Sequence, residues 1–135
     1  MRATITGFTV AIVMLAGFSG ALAADLKDQV KFETESVGLH PGMDPGMYVC
    51  AGNHLHIKGT VQNLAGVVLG QIKVLGKAFG PDGKLLGTAT SSTKQAALAP
   101  NEKAEINVEF LTVIGPLIQQ VKRHEIAVIE APPKP

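Results

Sequence analysis

Between residues 54 and 110 apolar and polar positions alternate with a period of two, and the alternation breaks only where turn residues stand. In HLHIKGTVQN, Leu55, Ile57 and Val61 fall on one side and His54, His56, Lys58, Thr60 and Gln62 on the other, the pattern of a half-buried β-strand. QIKVLGKAF reads as the next strand. Gly80-Pro81-Asp82-Gly83 then predicts a hairpin turn, because proline presets one dihedral and glycine admits the left-handed one. Residues 85–93, rich in Thr and Ser, suit a strand with a solvated or edge face. After the Pro100-Asn101 corner, KAEINVEF is the clearest core strand, with Ala104, Ile106, Val108 and Phe110 alternating against Glu105, Asn107 and Glu109.

The flanks add strands more faintly. Val30 and Phe32 alternate with charged neighbours in residues 28–37, and residues 123–129 give a last strand after the break at Gly115-Pro116. Residues 113–122 have room for a helical turn or two, but no segment shows a long, capped apolar stripe of period 3.6. About seven short strands with regularly spaced turns predict an all-β, antiparallel β-sandwich over residues 24–130. Its expected core is Val30, Phe32, Leu55, Ile57, Val61, Ile72, Val74, Ile106, Val108, Phe110, Ile126 and Val128. The Pro-rich residues 131–135 are expected to be a disordered tail.

Several stretches together resemble a known family. Gly59-Thr60-Val61-Gln62-Asn63, the hairpin from Phe79 to Thr88, Leu98-Ala99-Pro100-Asn101-Glu102 and Phe110 are similar to the FxLYD domains, small immunoglobulin-like β-sandwiches of exported bacterial and archaeal proteins. At the family's signature positions this chain carries Gly76, Ala78, Phe79 and Gly80. The resemblance implies an exported immunoglobulin-like domain and implies no catalytic residues.

The N-terminus makes its own case for export. Arg2, the uncharged apolar run of residues 4–20 and Ala21-Leu22-Ala23 before Ala24-Asp25 have the layout of a secretory signal peptide, with cleavage expected after Ala23. The apolar run is shorter than the roughly 20 residues of a membrane span, so no span is expected in the mature chain and a periplasmic or secreted location is. A formal net charge of +1, with charges scattered singly, gives no basic stripe for nucleic acid. With a single cysteine, Cys50, no internal disulfide can form, and the domain must stand on its core.

One segment is chemically unusual. Outside the leader the chain has two methionines, one cysteine and four histidines, and all but His124 lie in the run His40, Met43, Met47, Cys50, His54, His56. Thioether, thiolate and imidazole are donors that select copper, above all Cu(I). On a strand His54 and His56 project to one side about 6.8 Å apart, and the Pro-Gly loop before them is able to fold Met43 and Met47 over the pair. The same residues also fit a plainer account, in which methionine fills a gap, the histidines are solvated on a strand face and Cys50 is a small buried hydrophobe. There is no Gly-x-Ser-x-Gly elbow, His-Glu-x-x-His or phosphate-cradling loop, so no enzyme is expected. Two functions follow. One is an interaction or structural module of the cell envelope, pairing with another envelope protein or with itself through a sheet edge such as residues 86–92. The alternative is a copper-binding accessory protein or chaperone, working with another copper protein.

Overall fold

The computed structural model describes residues 25–35 and 44–135. Seven strands form: β1 (Val30–Thr34), β2 (Met47–Val49), β3 (His54–Asn63), β4 (Lys73–Phe79), β5 (Leu85–Ser92), β6 (Lys103–Ile114) and β7 (Arg123–Glu130). All pairings are antiparallel, and the strands divide into two sheets. In the first, β6 runs along one edge of β3, so β1 and β2 share its other edge, β1 opposite Gly59 to Asn63 and β2 opposite Leu55 to Ile57. The second has the order β5-β4-β7. Among the described residues the helical turns are a short 3-10 turn at Lys27–Gln29 and the 3-10 helix Gly115–Gln120. The protein is thus the all-β sandwich that the alternation predicts.

The core is where the strand phases put it. Leu55, Ile57, Val61, Ile72, Val74, Ile106, Val108 and Phe110 are fully or almost fully buried, while Val30, Phe32, Ile126 and Val128 pack half-buried around them. Gly76 shows why the centre of β4 carries no side chain. A Cβ there would lie 2.9 Å from the Phe110 ring and 3.0 Å from Val108. The space a residue at 76 would fill belongs to β6. Asn63, wholly buried, fixes the crossing from β3 to β4 by donating to the carbonyls of Val67 and Leu98, both at 2.9 Å, and accepting from Ala65 N–H at 2.8 Å. Every polar atom of that side chain is satisfied, as burial requires.

One expectation is corrected. Residues 131–135 are not a frayed tail: Ala131 is fully buried, Gly70 N–H donates to the Pro132 carbonyl at 2.7 Å, and Lys134 N–H donates to Val68 at 2.9 Å. Proline's lack of an N–H does not prevent its carbonyl from accepting, and that is how the segment is held. β5 is the edge strand that was expected, paired among the described residues only with β4, and β6 packs close against it. Gly87 sits so close to β6 that an added Cβ would meet Val113 at 2.6 Å, and Ser91 Oγ donates to the Asn107 carbonyl at 2.7 Å. The expected leader, residues 1–23, lies outside the described residues. Among the described residues no helix is long and apolar enough to cross a membrane.

Candidate metal centre

Strand alternation decides which members of the ligand-rich segment can meet. β2 sends Met47 inward, opposite Ile57, and Tyr48 outward, opposite His56. Met47 is 2% exposed and belongs to the core, so the fold separates its sulfur from the histidines. The chain then reverses through Ala51, Gly52 and Asn53. Asn53 N–H donates to the Cys50 carbonyl at 2.9 Å and Cys50 N–H to the His54 carbonyl at 3.1 Å, with Asn53 at φ 64°, a left-handed conformation that asparagine tolerates. That closure puts Cys50 beside His54. Across β3, β6 pairs so that Glu109 stands opposite His56. Alternation therefore delivers Tyr48, Cys50, His54, His56, Asn107 and Glu109 to one outer face of the first sheet.

Donors of Cys50, His54, His56 and Glu109 lie along this face. His54 Nδ1 lies 3.6 Å from Cys50 Sγ and 3.3 Å from Glu109 Oε2, and His56 Nε2 lies 3.6 Å from the same carboxylate oxygen. The ligand atoms of Cys50, His56 and Glu109 all lie within 4.8 Å of one another. Tetrahedral bonds to zinc of about 2.0–2.3 Å place neighbouring donors roughly 3.3–3.8 Å apart. The 3.3 and 3.6 Å separations each have the length of one such edge, with Cys50, His56 and Glu109 forming the close group and His54 standing beside Cys50 and Glu109. Side-chain exposure is graded, 12% at His56, 29% at His54 and 44% at Glu109, so the site has a covered floor and an open rim.

His56 is the anchor. Its ring stacks on Tyr48, centroids 4.7 Å apart and planes 19° from parallel. Nδ1 is 2.8 Å from Asn107 Oδ1, and Asn107 Nδ2 in turn donates to the Tyr48 hydroxyl. Nε2 is buried and makes no hydrogen bond, a situation that costs about 1–3 kcal/mol unless something binds there. A metal ion would satisfy it. The expectation of two solvated histidines is thereby corrected at His56, which does face away from Leu55, Ile57 and Val61 but is covered by Tyr48 and β6.

Of the six residues read as ligands, Cys50, His54 and His56 come together, Met47 is turned into the core, and His40 and Met43 lie outside the described residues. Sequence reading missed Glu109, which stood only as the solvent phase of a core strand. Its charge on the face opposite Phe110 was visible. That β6 is the neighbour of β3 was not.

A second buried imidazole lies elsewhere. His124 Nδ1 also lacks a hydrogen bond, 3.7 Å from Asp44 Oδ2, beside an open groove of about 710 Å³ lined in part by Phe32, Glu33, Glu35 and Ile126. Burial pulls its pKa below the ordinary 6.5, against a smaller opposing pull from Asp44.

Comparison with known protein families, curated proteins and solved structures finds no match for this chain.

Proposed function

We propose that this protein is an exported, non-enzymatic metal-binding accessory protein that holds one borderline divalent ion, zinc or copper, through Cys50, His54, His56 and Glu109. The observation that carries this reading is the grouping of Cys50, His56 and Glu109 within 4.8 Å at a buried, unpartnered His56 Nε2, with His54 Nδ1 3.3 Å from Glu109 and 3.6 Å from Cys50. A thiolate, two imidazoles and a carboxylate are the donors from which zinc sites are built, and a carboxylate in place of thioethers turns the preference away from Cu(I). Export rests on the leader-like residues 1–23. Graded exposure suits a carrier, since an ion held at an open rim can leave by ligand exchange. The other function suggested by the sequence, pairing through an edge at residues 86–92, has less support because β5 lies against β6.

The test is metal competition on the purified domain, with chelators for Zn(II), Cu(II) and Cu(I) run separately. Wild type is expected to take up one equivalent of a divalent ion. His56→Ala and Cys50→Ser should each weaken uptake at least tenfold, since the fold keeps Met47 from replacing either. Wild type that competes no better than the His54/His56 double alanine variant sinks the proposal, and binding of Cu(I) alone would return the site to a thioether-based set.

A further inference from the structure

The hydrogen bonds around His56 fix more than its position. Asn107 has one acceptor and one donor group on its amide, and the donor is committed to the Tyr48 hydroxyl. What faces His56 Nδ1 at 2.8 Å is therefore the carbonyl oxygen, which can only accept. From this we infer that Asn107, held by Tyr48, is a positioning residue that keeps His56 in its Nδ1–H tautomer and so presents a bare Nε2 lone pair to the metal site. The inference deepens the metal-binding reading and rests on it for its purpose, though the tautomer itself is a property of the metal-free protein.

Three features make the arrangement specific. Nδ1–H donating to Asn107 leaves Nε2 as the nitrogen without a hydrogen bond, which is the buried, unpartnered atom observed. The Tyr48 ring, stacked at 4.7 Å, opposes a half-turn of the imidazole, which would put carbon Cδ2 where Nδ1 now faces Asn107 and carbon Cε1 where Nε2 stands. Asn107 is itself anchored through its backbone, whose carbonyl accepts the Ser91 hydroxyl at 2.7 Å and ties this point of β6 to β5. Outer groups that orient a ligand imidazole in this way are worth roughly tenfold to a hundredfold in metal affinity.

Nitrogen-15 NMR of the metal-free, histidine-labelled protein reads the tautomer directly, and metal competition with Co(II) and Zn(II) reads its consequence. Wild-type His56 is expected to carry its proton on Nδ1. Asn107→Ala should shift it toward Nε2–H, weaken Zn(II) binding about tenfold to a hundredfold, and diminish the Co(II) visible bands. Asn107→Asp, whose carboxylate also accepts from Nδ1–H, should restore both tautomer and affinity. Tyr48→Phe keeps the stacked ring but frees the amide to turn, so it should behave part-way toward Asn107→Ala. An Nε2–H proton in wild type would mean that the amide is reversed, with Tyr48 donating to it, and overturns the inference. So does an unchanged tautomer in Asn107→Ala. A wild-type protein with the Nδ1–H tautomer that binds neither Zn(II) nor Co(II) upholds the role of Asn107 and sinks the metal-binding reading alone.

Discussion

His56 and His124 are both largely covered, and each has a ring nitrogen with no hydrogen bond, yet their surroundings differ in kind. Near the unpartnered nitrogen of His56 stand the Glu109 carboxylate at 3.6 Å and, within 4.8 Å, the Cys50 thiol, the surroundings on which the proposed metal site rests. At His124, among the described residues, the ion-pair partner is Asp44, at 3.7 Å. Desolvation by the protein dominates there and lowers the pKa below its ordinary 6.5. In the unfolded chain the imidazole takes up its proton near 6.5, whereas the folded protein must reach a lower pH before His124 is charged. Between those two values the unfolded state binds more protons, so stability is complete above the higher one and is lost as the pH falls toward the lower. His124→Gln should therefore flatten the acid-side loss, measured as the midpoint of urea unfolding at about pH 7.5 and about pH 5, a range only histidines ordinarily traverse. A wild-type to variant difference that does not change with pH would show His124 to be uninvolved in the titration.

At the level of the element, β6 serves both faces of its sheet. Its even positions, Ala104 to Phe110, are the centre of the core, and its odd positions Asn107 and Glu109 belong to the proposed metal centre. The two faces should separate in experiment. Phe110→Ala empties the space enclosed by Gly76, Leu55 and Val108 and should cost about 3–5 kcal/mol, whereas Glu109→Gln should change stability by no more than about 0.5 kcal/mol while weakening metal uptake. Equal losses of stability at both positions, in chemical denaturation, would show the assigned strand phase to be wrong. How much of this was legible follows from the same strand. Period-two alternation is a local property, so the phases of β3, β4 and β6 and the turns at Gly83 and Asn101 could be read directly, and with them the outward direction of His54, His56 and Glu109. Which strands lie side by side depends on contacts separated by the whole of β4 and β5. The meeting of Glu109 with His56, the packing of β6 against β5 and the docking of residues 131–135 were for that reason out of reach. Met47 was misjudged as a candidate ligand because it sits in the three-residue strand β2, too short to announce a phase; only its pairing with Ile57 assigns it to the core.

Considered whole, the sandwich closes its two sheets through β5 against β6 on one side and through its ends. Leu26 N–H donates to the Ala131 carbonyl at 3.0 Å, and Asp25 accepts from Ala131 N–H, so the first and last described segments are tied together. The proposed metal would add a further tie, linking the β2–β3 hairpin to β6. An ion that binds the folded protein alone stabilises it by mass action, about 2.7 kcal/mol when its free concentration is a hundred times Kd. In a domain of this size that amounts to a rise in Tm on the order of 10 °C. The full rise is not expected, however. Cys50, His54 and His56 are close neighbours in sequence, so the unfolded chain retains three of the four donors and holds the ion weakly, which subtracts from the linkage. Glu109 is the donor that folding alone brings into reach. Wild type should accordingly show a Tm that climbs with added Zn(II) and levels below the mass-action value, and Glu109→Gln should show a distinctly smaller climb from nearly the same metal-free Tm. Thermal unfolding across a Zn(II) series for both proteins makes the comparison. Uptake of the ion with no rise in Tm in either protein would place it on the unfolded-like hairpin segment alone, and the four-donor centre joining β2, β3 and β6 would have to be abandoned.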